Sequence, residues 1–232
     1  PYSATQAEMQ DVETNSAVTV SSLGDGYVLA PSESASVGRE TEKSMGVVFY
    51  PGGRVHPSAY VPVLAPVVEL TGTTVFVPKP PLNLAVFDSG MAGPIIDAHP
   101  EIEQWYVGGH SLGGAMACRY AEANTDTVAG LVLFGSYCDR LIADTELAVL
   151  SVGGTRDTVL GTSEAALRPE TLPESARIYR IEGLNHTQFG SYVGQPGDSS
   201  ATISRAAAHE RLQSLLVEFL QEVETVPDSG TA

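Results

Sequence analysis

A chain of 232 residues, 43% of them hydrophobic, carries enough apolar material for one sizeable core, which excludes a disordered or fibrous chain and fits a single α/β domain spanning residues 1–232. Its formal net charge of -16, from 28 acidic against 12 basic residues, argues against a nucleic-acid groove or a patch for anionic membranes. No apolar stretch approaches the roughly 18 to 20 residues that span a bilayer, so no membrane contact is expected, and the two cysteines lack metal spacing.

Residues 1–14 read as a polar N-terminal segment of helical character, followed by two short strands at 17–23 and 27–30 around the turn Gly24-Asp25-Gly26. Residues 31–43 are a serine- and glutamate-rich connection, and 45–50 is a continuous apolar run of the kind buried on both faces of a sheet. Then come Pro51-Gly52-Gly53-Arg54 and a helical stretch at 57–70. A regular alternation follows: strand 74–78, helix 91–98, strand 105–108, helix 112–123, strand 130–134, strand 147–152, helix 163–167, strand 177–181 and helix 204–223, with a flexible tail at 225–232. Such alternation with uniformly apolar strands predicts a mostly parallel sheet, antiparallel at its N-terminal edge and covered by helices on both faces.

The chemistry centres on Gly109-His110-Ser111-Leu112-Gly113, where an apolar strand breaks and a helix begins. A serine on so sharp a turn is pushed outward, small neighbours let strand and helix approach closely, and the helix aims its free amides at a developing oxyanion. A serine hydroxyl needs a base and an orienting acid. Both follow in the order expected of an α/β hydrolase: strand 147–152 runs into Gly153-Gly154-Thr155-Arg156-Asp157, and strand 177–181 into Glu182-Gly183-Leu184-Asn185-His186. Asp157 is also readable as a helix cap, with Asp139 as the competing acid; His56, His99, His110 and His209 compete with His186, the one that follows a strand in a glycine-flanked loop. The backbone amides of Leu112 and Gly53 are the expected oxyanion donors, with Arg54 as an alternative amide to Gly53.

Taken together, strand-Pro-Gly-Gly, Gly-His-Ser-Leu-Gly-Gly, Gly-Thr-Arg-Asp and Gly-Leu-Asn-His resemble the α/β-hydrolase superfamily over residues 45–223. More narrowly, Phe49-Tyr-Pro-Gly-Gly-Arg54, Pro78-Lys-Pro-Pro-Leu-Asn83 and Asn185-His-Thr-Gln-Phe-Gly190 with Gln195-Pro-Gly-Asp198 are similar to a bacterial group of small dienelactone-hydrolase-like proteins, often exported or membrane-anchored. Dienelactone hydrolases proper use a cysteine nucleophile, and this chain has Ser111 in that place. The resemblance implies the α/β-hydrolase fold and the triad.

Only about a dozen residues separate the strand after the elbow helix from the strand bearing the acid, too few for a helical cap, so an open, lidless site is expected. Arg54, Tyr137, Phe189 and Gln195 are the candidate substrate contacts, the last two with bracing of the His186 loop as the equal alternative. The expected activity is hydrolysis of a small-molecule carboxylic ester through an acyl-enzyme, with no cofactor and no metal. Thioesterase, acyltransferase or perhydrolase chemistry on the same residues, and a binding protein retaining the fold, are the competing readings. Cys118 and Cys138 read equally as free thiols or as a bridge, and a bridge implies export. A chain that opens on Pro1 leaves the compartment undecided, a missing signal peptide or anchor being one reading.

Overall fold

The computed structural model describes residues 1–36 and 43–224, so the tail expected at 225–232 lies outside the described residues. The chain runs α1 (Gln6–Glu13), β1 (Val18–Leu23), β2 (Gly26–Pro31), α2 (Glu33–Ser36), β3 (Met45–Tyr50), α3 (Val61–Thr71), β4 (Thr74–Val77), α4 (Ala92–Ala98), β5 (Gln104–His110), α5 (Leu112–Ala123), β6 (Val128–Phe134), β7 (Ala148–Gly154), β8 (Arg177–Ile181) and α6 (Arg205–Glu224). The strands form one eight-stranded sheet in the order β1-β2-β4-β3-β5-β6-β7-β8. Strands β3 to β8 pair in parallel, and β2 runs antiparallel to β1 and β4. Antiparallel pairing is thus confined to the N-terminal edge.

Every residue of β3 is buried, because successive side chains point to opposite faces and both faces are covered. On one face Val47 and Phe49 join Tyr106, Val132 and Phe134 beneath Leu64 and Val67 of α3 and Leu212, Leu216 and Phe219 of α6. On the other, Val48 and Tyr50 join Val107, Leu131 and Leu133 beneath Ala115 and Met116 of α5 and Ile95 of α4. These two layers hold the sheet rigid while its carboxyl edge carries loops. The N-terminal α1 is closed by a capping box, in which the Thr5 hydroxyl accepts from the Glu8 amide and the Glu8 carboxylate accepts from the Thr5 amide.

Two expected helices are partly 3₁₀. The stretch from 57 begins as a 3₁₀ turn, Pro57–Tyr60, and becomes α-helical at Val61. The segment near 163 is a 3₁₀ turn, Glu164–Leu167, ended by Arg168 at φ 49° just before Pro169, where continuing α-helix is disfavoured.

Of the two readings for the cysteines, the bridge is the one formed: Cys118 on α5 and Cys138 beyond β6 are disulfide-bonded, their Cα atoms 5.4 Å apart. A bidentate ion pair from Arg119 to Asp139 joins the same two elements one residue further on. The helix behind Ser111 is therefore tied to the loop after β6 twice. Closing a loop of this length removes about 3 kcal/mol of unfolded-chain entropy, so the Cys118→Ala/Cys138→Ala double variant is expected to lose about that much unfolding free energy in urea titrations. An unchanged midpoint would show that the bridge does not constrain the unfolded chain.

Candidate active site

The elbow forms where β5 ends and α5 begins. A Cβ on Gly113 would stand 2.2 Å from the Tyr50 carbonyl oxygen, and one on Gly109 would stand 2.6 Å from the Gly113 carbonyl carbon. Both positions need glycine because backbone lies against backbone. Between them Ser111 takes φ 53° and ψ -125°, a region that side chains rarely adopt. Its amide donates to the Phe134 carbonyl at 3.0 Å, and its carbonyl accepts from the Ser136 hydroxyl at 2.7 Å. The strained residue is thus fastened on both sides.

At the carboxyl ends of β7 and β8 the structure brings Asp157 and His186 together. His186 Nδ1 and Asp157 Oδ2 are 2.8 Å apart, with both side chains almost fully buried. The other oxygen, Oδ1, accepts from the amides of Val159 at 3.0 Å and Leu160 at 2.8 Å. Asp157 is therefore a turn cap and a histidine partner at once. Asp139, the competing acid, is turned away to Arg119, whose guanidinium hydrogen bonds hold its carboxyl below the usual range.

A family model described as alpha/beta hydrolase family matches residues 46–210. The chain belongs to the alpha/beta hydrolase family. Among solved structures it is similar to an alpha/beta hydrolase enzyme from the metagenome of lagoon sediments at Mar Chica, Morocco, with a TM-score of 0.62 at 16% identity, covering 89% of this chain and 99% of that one. It is similar also to dienelactone hydrolase from Anabaena variabilis (TM-score 0.54, 20% identity, 88% and 96% covered). The esterase domain of a Rhodothermus marinus protein is a third (TM-score 0.59, 13% identity, 79% and 89% covered). No curated protein matches.

In this family member the four other histidines are occupied elsewhere. His56 caps the turn Pro57–Tyr60 through the Ser58 amide, His99 pairs with Glu101, and His209 lies 3.4 Å from the Gly190 carbonyl. His110 is buried in the elbow, its Nδ1 2.9 Å from the Tyr60 hydroxyl and its ring 4.4 Å from that of His186.

The amides of the loop expected to supply an oxyanion donor are sorted by what they already bind. Gly52 donates to the Tyr60 hydroxyl at 2.8 Å, and Arg54 donates to the Asn83 carbonyl at 2.8 Å, which removes Arg54 as an alternative amide donor. Among the described residues, the Gly53 and Leu112 amides have no hydrogen-bond partner. The two residues are neighbours, since a Cβ built on Gly53 would lie 3.6 Å from Leu112 Cδ2.

The candidate substrate contacts divide. Arg54 is exposed, at φ 64°, and Tyr137 is half-buried beneath the Arg168 guanidinium, 4.2 Å from its ring. Phe189 is not at the mouth: it is completely buried, stacked 5.5 Å from His110 and tilted against Phe134 at 6.0 Å. Its place is the brace under the base, because an aromatic ring is stabilised more by that apolar floor than by solvent. Gln195 lines a surface depression with Asn185, Thr187 and Asp198 that His186 does not line, so it too sides with the loop and not with the base. Among the described residues no cluster of three His, Cys, Asp or Glu is arranged to hold a metal ion.

Sequence reasoning left Asp198 without a role of its own. Its carboxylate accepts from the His186 amide at 3.1 Å, the Thr187 amide at 2.8 Å and the Thr187 hydroxyl at 2.7 Å. Asn185 and Gln188 form a capping box around the same turn. The signal available in the sequence was an Asn-x-x-Gln box followed by a Pro-Gly-Asp turn.

Burial, then the nearby His186, push the His110 pKa well below 6.5, the His186 main chain pulling the other way; burial likewise lowers His209. Above pH 6.5 neither state is charged at these sites. As pH falls below it, the unfolded chain takes up protons that the folded chain refuses, and stability declines by at most about 1.4 kcal/mol per pH unit for each such histidine until the folded pKa is reached. Urea midpoints are expected to drop from pH 7.5 to pH 5.5; a flat profile would contradict the burial of these rings.

Proposed function

We propose that the protein is a serine hydrolase of carboxylic esters. The observation that carries the reading is the sealed His186–Asp157 hydrogen bond at 2.8 Å, at the same sheet edge as a serine held at φ 53°. With Nδ1–H donating to Asp157, His186 Nε2 is left as the acceptor for the Ser111 hydroxyl proton. Ser111 Oγ attacks the ester carbonyl as Nε2 takes that proton, and the resulting oxyanion is received by the Gly53 and Leu112 amides. The imidazolium then returns the proton to the departing alkoxide as the C–O bond breaks, leaving an acyl-serine and an alcohol. Water, deprotonated by His186, attacks the acyl-serine; the carboxylic acid leaves and Ser111 recovers its proton. Each oxyanion donor is worth about 10²–10³ in rate when preorganised.

The segment between β6 and β7 supports an open site. It is short, held by the disulfide at Cys138 and pinned where Ile142 donates to the Thr171 carbonyl at 2.8 Å. An uncapped mouth suits small or protruding ester groups. The esterase and dienelactone hydrolase among the similar structures support acyl-oxygen chemistry for this chain as well. A buried disulfide further supports folding in an oxidising compartment, and hence export.

A fluorophosphonate probe is expected to label Ser111 in the folded wild-type protein, with labelling lost in Ser111→Ala and His186→Ala. Asp157→Asn is expected to cost on the order of 10⁴ in kcat by leaving the imidazole in the wrong tautomer, and Asp139→Asn to cost less than tenfold. Folded wild-type protein that resists the probe would end the hydrolase reading. On a series of nitrophenyl esters, kcat/KM is expected to be highest for acetyl to butyryl chains; a maximum at dodecanoyl or longer would contradict the open mouth.

A further inference from the structure

The elbow histidine and a tyrosine from the turn before α3 make a contact that the reaction as written does not use. Tyr60 is completely buried, and its ring packs 5.1 Å from Phe49. Its hydroxyl accepts from the Gly52 amide at 2.8 Å and stands 2.9 Å from His110 Nδ1. The fit is close: a Cβ on Gly52 would lie 2.8 Å from His110 Nδ1 and 3.1 Å from the Tyr60 hydroxyl oxygen. Gly52 is thus glycine so that the loop can lie on this pair.

A peptide unit is planar, so fixing the Gly52 amide and the Arg54 amide, the latter on the Asn83 carbonyl, leaves the Gly53 amide little freedom to turn. Among the described residues the buried phenol has one acceptor in reach, His110 Nδ1, which orients its hydroxyl hydrogen and points its lone pairs at Gly52. The other face of His110 packs on the His186 ring, 4.4 Å away.

We propose that Tyr60, oriented by His110, is a positioning residue that presets the Gly53 amide for the oxyanion. The inference rests on the ester-hydrolase reading and deepens it. Neither side chain touches the substrate. They act through the loop, which they hold in the geometry needed in the transition state before the substrate arrives.

The decisive variant is Tyr60→Phe, which keeps the ring and removes the hydroxyl. On nitrophenyl acetate it is expected to lower kcat about 10- to 100-fold with KM within twofold, a fraction of what loss of a whole oxyanion donor costs. Affinity for an aryl trifluoromethyl ketone, whose adduct carries the same oxyanion, is expected to fall by the same factor, while affinity for the product acid is unchanged. A merely structural role would move stability and KM without this match. His110→Leu, which deprives the phenol of its acceptor, is expected to show the same split in smaller size and stands in should Tyr60→Phe not fold. Unchanged kcat in the folded variants, in a wild type that hydrolyses the ester, overturns the positioning role and leaves the hydrolase reading intact. A wild type that neither hydrolyses esters nor takes the fluorophosphonate removes the reading beneath it.

Discussion

Backbone rests on backbone where the start of α5 meets the end of β3, and the site's geometry follows from that contact. The place a Cβ would occupy on Gly113 is 2.2 Å from the Tyr50 carbonyl oxygen and 2.4 Å from that of Pro51. Any side chain there would drive the helix away from the strand that feeds the oxyanion loop. Because α5 sits so close, one residue must turn strand into helix, and Ser111 does it at a backbone cost of order 1–3 kcal/mol. Hydrogen bonds to Phe134 and Ser136 hold it there. The same closeness makes neighbours of Gly53 and Leu112, so two unpartnered amides come from elements far apart in sequence.

Around that contact, a few carboxylates each do several things. Asp157 satisfies two amides with one oxygen and His186 with the other. Asp198 satisfies two amides and a hydroxyl in the next loop. A charge taken out of water is tolerated when its lone pairs are filled, and here the filling groups are the backbone of the loops that carry the site. The charge that fixes loop shape is therefore the charge that orients the imidazole. In a chain with a net charge of -16, these inward-facing acids are distinguished from surface acids by what they bind, which no count of residues reveals.

Legibility tracked the range of the interaction. β3 was placed to the residue because a continuous apolar run has few alternatives, and α5 because the elbow marks its start; β8 also keeps its expected bounds, although two of its five residues are arginine and only Ile181 is buried. β5 runs on through Gly109 and His110 and β7 through Gly153 and Gly154, because ladder bonds reach into residues that carry no strand preference of their own, while β6 begins two residues earlier than the apolar run suggests, at Val128. The Ser111, Asp157 and His186 positions were legible through local breaks after strands. For Phe189 the sequence left substrate contact and bracing of the His186 loop as equals, since an aromatic residue beside that loop reads the same whether it faces solvent or core, and its complete burial decides for the brace. Tyr60 had no signal at all: its partners Gly52 and His110 lie 8 and 50 residues away, and only the fold brings them together. The cysteine pair was undecidable for the same reason.

Two histidine rings in contact set one more condition. In the proposed reaction His186 becomes an imidazolium while the serine adduct forms, and a second cation 4.4 Å away would oppose that step. His110 avoids the conflict by being buried, which disfavours its charged form, with Phe189 stacked beside it. The apolar floor under the base therefore has an electrostatic consequence as well as a packing one. A polar residue in place of Phe189 would ease protonation of His110 and so set a second charge beside the proposed base. Phe189, readable from sequence as a substrate contact or a brace, thus bears from below on the charge that the proposed base is able to carry.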